Sequence, residues 1–232
     1  MSKSGEGFQR ADTWLASRSG IRLDRFVKVL TRGVPGTPRI DVVDVSPAGS
    51  TMRMTVTGRV GPDPDPLWAL PVTFIPEDGA AEESSIHVRR SAAPAATGKL
   101  LLRNLVRACR ILGLGHINAS LSTNRSYAYA RAGFLPSVQS WPILRGRLLR
   151  ALDGIEPTVS GRTMITDALG APEPTALRAL LPERKASQMP APGTLYPEAC
   201  RAVLTHRDVF WEGRLDLHDV ISRRLLGCYV SR

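Results

Sequence analysis

The first third of the chain contains three short runs in which apolar and polar residues alternate. They cover residues 39–45, 51–60 and 67–75. Alternation with a period of two is typical of a strand that buries one face. Turn-forming glycines and prolines separate the runs. The pattern therefore predicts three antiparallel strands joined by hairpins.

Residues 10–31 precede these runs and carry apolar side chains at helical spacing. A Ser-Gly pair at residues 19–20 interrupts that spacing, so we predict two short helices in this region. Residues 1–9 are mostly polar and are predicted to be disordered.

The next part of the chain, residues 82–134, has the pattern of a strand–helix–strand–helix unit. Its last helix is predicted to end at Gly133, with Asn124 or Ser126 as the N-cap. Backbone N–H groups at the start of a helix lack intrahelical acceptors, so the turn before the first helix suits a phosphate. The other predicted elements are a strand at residues 84–90, a small-residue loop at 92–98, a helix at 99–112 and a strand at 116–122.

Apolar and basic positions lie on opposite faces of the helix predicted at residues 99–112. Leucines, a valine and Cys109 recur on one face, and Arg103, Arg107 and Arg110 form the other. The apolar face is predicted to lie in a core, where Cys109 would be buried and unreactive. The arginine stripe is either a solvated face or a surface for a polyanion.

Beyond Phe134 the periodicity is weaker. Turn-forming residues are frequent in residues 154–200, which are predicted to be mainly loops. The other predicted elements are a strand at residues 138–144, a basic helix at 145–152, a helical piece at 175–181 and a strand followed by a helix within 208–230.

Composition limits the class of protein. The chain has 232 residues with 43% hydrophobic content, which is enough for a sizeable core. No apolar run approaches the roughly twenty residues of a membrane-spanning helix, and no signal-peptide pattern is present. The cysteines are three in number and widely spaced, and the histidines show no metal-ligand spacing. These features predict a protein of the reducing cytoplasm without a metal site.

The formal net charge is +10, and the sequence pI is about 10.4. Such an excess favours polyanionic partners, among them nucleic acid and phosphate-rich cofactors. The candidate nucleic-acid contacts are Arg103, Arg107, Arg110, Arg145 and Arg147. No known nucleic-acid-binding motif accompanies them, so solvated helix faces are the alternative interpretation.

The most specific motif is Tyr-Ala-Arg-Ala-Gly-Phe at residues 129–134. Together with Gly98 and the leucines that follow it, this motif resembles the acetyl-CoA-binding core of the GNAT superfamily of N-acetyltransferases. In that family a strand leads into an Arg/Gln-x-x-Gly-x-Gly/Ala loop, a helix, a second strand and a helix ending in Tyr-x-x-x-Gly-Phe. Ala93 and Ala96 stand here in place of the loop's Arg/Gln and first Gly.

The resemblance implies an α/β fold, in which a mixed sheet flanked by helices starts as an antiparallel meander and leads into the strand–helix–strand–helix unit. It places an acyl-CoA-binding core at residues 1–150 and a C-terminal extension of unknown role at residues 151–232. Acetyl-CoA or another acyl-CoA would be the cofactor.

Two groups of cofactor-binding residues follow from the resemblance. The pantetheine amides would pair with the strand at Ile86 and Val88. The diphosphate would lie on the backbone N–H groups of Ala96, Thr97, Gly98 and Lys99.

The resemblance also implies catalytic residues. Tyr129 would act as general acid and return a proton to the CoA thiolate, whereas a structural interpretation packs its ring beside Phe134. A general base must remove a proton from the amine, and the candidates are Glu82 and His87. Either residue also fits a solvated turn or strand surface.

The function implied is direct transfer of an acetyl or acyl group from acyl-CoA to an amine. The sequence leaves the amine, the acyl group and the oligomeric state open. One alternative is a member of the same fold that modifies or binds DNA or RNA. Another is a non-catalytic GNAT-like binding or structural protein, which the alanines in the loop favour.

Overall fold

The computed structural model describes residues 3–61, 63, 65–89, 91–155, 159–181 and 196–231. The helices are α1 (Lys3–Ser19), α2 (Leu23–Leu30), α3 (Thr97–Ile111), α4 (Thr123–Arg131), α5 (Trp141–Asp153), α6 (Val159–Gly170), α7 (Tyr196–Thr205) and α8 (Val220–Val230). The strands are β1 (Thr37–Val45), β2 (Met52–Arg59), β3 (Trp68–Ile75), β4 (Ala80–Glu83), β5 (His87–Val88), β6 (His116–Ser122), β7 (Leu135–Pro136) and β8 (Phe210–Asp216). Short 3₁₀ helices occur at Pro76–Asp78 and Pro174–Leu180.

The described strands form one mixed sheet in the order β1-β2-β3-β4-β6-β8-β7, and β5 pairs with β3. β1 to β4 make an antiparallel meander, and β4 pairs with β6 in parallel. The connection from β4 to β6 contains β5 and α3, and α4 follows β6. The predicted fold class is therefore confirmed: a mixed α/β sheet with flanking helices, in which a meander leads into a strand–helix–strand–helix unit.

The chain divides into two compact units. Unit 1 comprises Met1–Ala119, Asp216–Val220 and Cys228–Arg232, and unit 2 comprises Ser120–Leu215 and Ile221–Gly227. The boundary predicted between residues 150 and 151 lies inside α5. The division into an acyl-CoA-binding core and a C-terminal extension stays a prediction.

The core of unit 1 is built on the alternating strands. Phe26 of α2 meets Phe74 of β3 edge to face, with the ring centroids 5.5 Å apart. α3 contributes Leu101, Leu105 and Cys109 from its apolar face, all fully buried as predicted. Buried residues alternate along the two central strands of the meander: Met52, Met54, Val56, Leu70, Val72 and Phe74.

The core of unit 2 is helical. α7 packs against α4, α5 and α6, and it buries Val203 and Leu204 there. Trp141 at the start of α5 is buried, and its indole N–H donates a hydrogen bond to the Ala171 carbonyl at 3.2 Å. β7 pairs with β8 in antiparallel orientation and is the last strand in the order of the sheet.

The prediction of disorder is wrong for residues 3–9, because α1 begins at Lys3, and residues 1 and 2 lie outside the described residues. Hydrogen bonds to the β1–β2 turn hold this helix. Arg10 donates to the Val45 carbonyl at 2.8 Å, and the Trp14 indole donates to the Gly49 carbonyl at 2.8 Å. The predicted break near Gly20 is confirmed.

The strand predicted at residues 84–90 is displaced and interrupted. Its first part, β4, begins at Ala80, where small side chains fit the parallel pairing with β6. Its second part is the two-residue β5. The strands predicted in the meander and at residues 116–122, and the helix predicted at residues 99–112, are confirmed within two residues at each end.

The predicted N-caps of α4, Asn124 and Ser126, are wrong, since the N-cap is Ser122. The strand predicted at residues 138–144 is also wrong. α5 begins at Trp141, and Pro142 lies in its first turn, where a missing N–H costs no hydrogen bond. The helix predicted at residues 145–152 is confirmed as part of α5, and the helical piece predicted at residues 175–181 is a 3₁₀ helix.

The turn-rich segment contains α6 and α7, which the periodicity did not predict. The prolines at 157, 182, 190 and 192, which contributed to the prediction of loops, lie outside the described residues. The strand and helix predicted within residues 208–230 are confirmed as β8 and α8.

Candidate functional site

A β-bulge separates β4 from β5. On one side of it Val72 of β3 pairs with Glu83, and on the other side Ala69 pairs with His87. Three residues, Ser84 to Ile86, therefore face the two residues Leu70 and Pro71. One extra residue in one strand bends that strand and ends its regular pairing. The parallel pairing of β4 with β6 stops at the same point, at Glu83 and Ala119.

Two tight turns lead from β5 into α3. The Arg89 carbonyl accepts hydrogen bonds from the amides of Ala92 and Ala93, at 3.0 and 2.9 Å. The Thr97 amide donates to the Pro94 carbonyl at 2.9 Å. These bonds fix the backbone of the loop predicted to hold a diphosphate.

An ion pair anchors the start of this loop. The Arg89 guanidinium lies 2.7 Å from the Asp63 carboxylate in the β2–β3 connection. The hydrogen bond from Arg89 lowers the pKa of Asp63. The Arg89 amide also donates to the Leu67 carbonyl at 2.9 Å, so main chain and side chain of Arg89 both bind the β2–β3 connection.

The first turn of α3 is open. Its N-cap is Ala96, which has no side-chain hydrogen bond to offer, and the turn contains no acidic residue. The first helical hydrogen bond runs from Leu100 N–H to the Ala96 carbonyl at 3.0 Å. Among the described residues, the amides of Gly98 and Lys99 have no acceptor. Such amides attract anions, because they carry the positive end of the helix dipole.

Thr97 and Lys99 add polar groups to the same turn. Thr97 is fully buried, and its hydroxyl has no hydrogen-bond partner within the described chain. The Lys99 ammonium lies over the ring of Tyr229, 5.3 Å from its centroid. A Cβ added to Gly98 would lie 3.7 Å from Val88 Cγ2, so α3 starts directly beside β5.

Five of the six predicted cofactor residues therefore lie in β5 and at the start of α3, and the sixth lies just before β5. Ile86 lies in the bulge instead of in a strand, because the ladder with β3 resumes only at His87. The five residues are Val88, Ala96, Thr97, Gly98 and Lys99.

The candidate bases lie on either side of the bulge. Glu82 is exposed on β4, paired with Thr73 and Asn118, and His87 is exposed on β5. Glu83, which has a buried carboxylate and is only 1% exposed, was missed as a candidate. The strand predicted at residues 84–90 leaves Glu83 outside it, in a turn. In β4, Ala81 and Glu83 are two residues apart and therefore lie on the same buried face.

Tyr129 belongs to unit 2. It is 7% exposed, and its ring centroid lies 4.9 Å from that of Phe134. The Arg125 guanidinium lies over the same ring, 5.1 Å from the centroid. The packing against Phe134 is the one that a structural interpretation requires, and the role of Tyr129 as general acid stays a prediction.

The fold requires glycine at position 133 of the same motif. Its φ is +100°, and a Cβ there would lie 2.9 Å from the Ser222 carbonyl oxygen of α8. The Ser222 hydroxyl donates to the Gly133 carbonyl at 3.3 Å and accepts a hydrogen bond from Arg178 at 3.3 Å. The glycine of the Tyr-x-x-x-Gly-Phe pattern therefore lets the turn after α4 lie close to Ser222 of α8.

The start of α4 contains two features that sequence reasoning missed. Thr123 has φ +47°, a left-handed conformation that is strained for a β-branched residue. Ser126 is fully buried, and its hydroxyl has no partner among the described side chains and backbone groups. Ser126 and Tyr129 are three residues apart and share a face of α4. Strain and unpaired polar groups of this kind concentrate at functional sites.

The five candidate arginines do not form one group. Arg103, Arg107 and Arg110 lie along α3 in unit 1, with Arg103 half-buried and the other two exposed. Arg145 and Arg147 belong to α5 in unit 2. Arg147 stacks on Phe210, with its guanidinium carbon 3.5 Å from the ring centroid, and it donates to the Phe210 carbonyl.

Other chemistry is limited in the part of the chain that the structure describes. Cys109 is buried, and desolvation raises the pKa of its thiol to about 12, so the thiol is not ionised near neutral pH. No group of three or more His, Cys, Asp or Glu side chains is placed to hold a metal ion there. Across the described ranges, no helix combines the length and hydropathy needed to span a bilayer.

No protein-family model and no curated protein sequence matches the chain. Two solved structures are similar to parts of it. A crystal structure of nourseothricin acetyltransferase is 18% identical with a TM-score of 0.30, over 44% of this chain and 71% of that one. A tandem GNAT protein from the clavulanic acid biosynthesis pathway is 15% identical with a TM-score of 0.32. That match covers 58% of this chain, which spans 42% of the tandem protein. At such low similarity, function has to be inferred from this chain's own residues.

Proposed function

We propose that the chain is an N-acyltransferase that binds acetyl-CoA or another acyl-CoA at the start of α3 and transfers the acyl group to an amine. The observation that carries the proposal is the first turn of α3. This turn combines amides without acceptors, a buried hydroxyl without a partner and a lysine at the positive end of the helix.

Each of these features is unfavourable in the absence of an anion. A buried hydroxyl without a partner costs about 1–3 kcal/mol. A cation in the first turn opposes the helix dipole by about 0.3–1 kcal/mol. A bound phosphate reverses both effects, because it accepts from the amides and the hydroxyl and pairs with the ammonium. Thr97, Gly98 and Lys99 would hold the diphosphate of CoA in this way.

The bulge supports a site for the rest of an extended ligand. β5 is hydrogen-bonded to β3 along one edge. We propose that its second edge pairs with the pantetheine amides through the backbone of His87 and Val88, as an added strand would. Ile86, in the bulge, would contribute its amide only if the backbone there turns toward the ligand.

Two side chains would move protons. Acyl-CoA, when bound, supplies the acyl group in activated form as a thioester. An amine that attacks a thioester must be unprotonated, so a base has to take its proton. Glu82 and His87 remain candidates, and buried Glu83 joins them at the end of β4. Tyr129 would donate a proton to the leaving sulfur through its phenol.

Binding and turnover test the proposal separately. We expect acetyl-CoA to bind in calorimetry and Thr97→Val to weaken that binding at least about tenfold, since a hydrogen bond to a charged group is removed. The melting temperature of Thr97→Val should be unchanged or higher, because Val fills the same space without a hydroxyl to satisfy.

Tyr129→Phe should bind acetyl-CoA as the wild type does and lose about 10²–10⁴-fold in kcat, measured as CoA released with a panel of amines. Absence of any CoA or acetyl-CoA binding by the folded wild type would refute the proposal. Binding without turnover on any amine would instead support a non-catalytic role.

A further inference from the structure

The last turn of α8 lies beside the first turn of α3. Tyr229, in the last turn of α8, and Lys99, in the first turn of α3, both belong to unit 1 and are both half-buried. The Lys99 ammonium is 5.3 Å from the centroid of the Tyr229 ring. Tyr229 lies far along the chain from the residues 93–98 that resemble a diphosphate loop.

A ring and a carboxylate hold an ammonium with different consequences. A carboxylate would neutralise the charge of Lys99, and the first turn of α3 contains none. The face of an aromatic ring attracts the ammonium through its quadrupole and leaves the positive charge in place. Tyr229 therefore fixes the position of Lys99 and keeps its charge available to a second, anionic group.

An independent observation indicates what that group is. The Thr97 hydroxyl lies in the same turn, fully buried and without a partner in the described part of the chain. Next to it, the amides of Gly98 and Lys99 also lack acceptors. Several donors and one cation within one helical turn match the oxygen atoms of a phosphate or diphosphate.

We infer that Tyr229 is a positioning residue of the phosphate-binding site, which holds the Lys99 ammonium against the diphosphate of the ligand. This inference rests on the proposed function and extends it, because it makes the last turn of α8 part of the cofactor site. The ligand class is a diphosphate-bearing molecule, and inorganic pyrophosphate is its smallest representative.

The test compares dissociation constants for CoA and for inorganic pyrophosphate by calorimetry. Tyr229→Leu keeps an apolar side chain but removes the ring, and it should weaken both ligands about fivefold. Tyr229→Phe keeps the ring and should bind both ligands as the wild type does. Cys228→Ser, an exposed neighbour on α8, is the matched control and should change neither constant. Circular dichroism melts confirm that the variants fold.

A double-mutant cycle shows whether Tyr229 acts through Lys99. Lys99→Met alone should weaken both ligands, and adding Tyr229→Leu to it should then change the constants less than about twofold. Equal effects of Tyr229→Leu in both backgrounds would overturn the inference. So would tighter binding by Tyr229→Leu, which would mean that the ring obstructs the site.

The outcome also separates this inference from the proposed function. If the wild type binds CoA and pyrophosphate but Tyr229→Leu binds them equally well, only the role of Tyr229 is refuted. If the folded wild type binds neither ligand, the acyl-CoA site itself is refuted, and the role of Tyr229 is refuted with it.

Discussion

Gly98 is a glycine that the fold itself does not require. A Cβ there would make an ordinary contact with Val88, at 3.7 Å, and the backbone does not have a positive φ. Gly133 is the opposite case, since its φ of +100° and the nearby Ser222 backbone both exclude a side chain. A glycine without a structural cause at the start of a helix leaves room for the close approach of a ligand.

Gly98→Ala should therefore raise stability and lower affinity at once. Alanine in a helix is favoured over glycine by about 0.5–1 kcal/mol, so the free energy of unfolding should increase by about that amount. The added methyl group would occupy space next to the α3 amides, and CoA binding should weaken at least about tenfold. Urea unfolding and calorimetry measure the two effects.

Gly146 provides the control for this prediction. It lies inside α5 in unit 2, and the nearest contact of an added Cβ would be the end of the flexible Arg150 side chain, 3.8 Å away. Gly146→Ala should stabilise the protein by a similar amount and leave CoA affinity unchanged. Unaltered CoA affinity in Gly98→Ala would contradict the placement of the diphosphate at this turn.

Individual site residues were predictable only where a motif named them. Gly98 and Lys99 follow from the resemblance. Glu83 did not, because the strand was predicted to begin at residue 84, whereas β4 begins at Ala80 and ends at Glu83. Thr123 could not be identified from the sequence, because a left-handed φ at a threonine is imposed by its surroundings. Tyr229 was not identified either, since its partner Lys99 is distant in the chain.

At the scale of elements, one polar side chain joins α2 to α3. Asn104 is fully buried in α3, and its amide donates to the carbonyls of Leu30 and Arg32, at 3.2 and 2.9 Å. These carbonyls lie at the C-terminal end of α2, where the helix offers its last carbonyls no N–H donors of its own. Asn104 therefore caps α2 and fixes it against the helix whose N-terminus forms the candidate site.

Asn104→Leu should destabilise this part of unit 1 by about 1–3 kcal/mol, because the buried Leu30 carbonyl and the part-buried Arg32 carbonyl lose their donor. Hydrogen exchange of the α2 amides should accelerate accordingly, since local opening becomes easier. Arg110→Ala, at an exposed position of α3, should change stability by less than about 0.5 kcal/mol. Unchanged exchange in Asn104→Leu would mean that water replaces the amide without cost.

The elements that were predicted well differ from the others in a physical way. β2 and β3 bury one face each, so their alternation is visible in the sequence. α1 depends on hydrogen bonds from Arg10 and Trp14 to a distant turn, and a local pattern does not contain that information. β4 was misplaced because its alanines have low strand propensity and are set by pairing with β6.

At the scale of the molecule, charge is the property that the proposed acyl-CoA site does not explain. The net charge of +10 attracts polyanions of any kind, and one cofactor accounts for a small part of it. The structure narrows the candidate nucleic-acid contacts. Three members of the predicted set are half-buried: Arg103, Arg145 and Arg147. Arg107 and Arg110, on α3, are the exposed members.

We expect weak, sequence-independent binding to duplex DNA that decreases steeply with salt, because phosphate binding by arginine releases counterions. The double variant Arg107→Gln/Arg110→Gln should reduce the slope of log K against log salt by roughly 2, since each arginine that neutralises a phosphate adds about 0.9 to that slope. Arg147→Gln should change the slope by less than about 0.5, since the Arg147 side chain is half-buried and already donates to the Phe210 carbonyl. Fluorescence anisotropy over a salt series measures all three slopes. An unchanged slope in the double variant would identify the arginine stripe of α3 as a solvated face. Submicromolar affinity of the wild type for DNA at physiological salt would favour the nucleic-acid-directed alternative over transfer to a small-molecule amine.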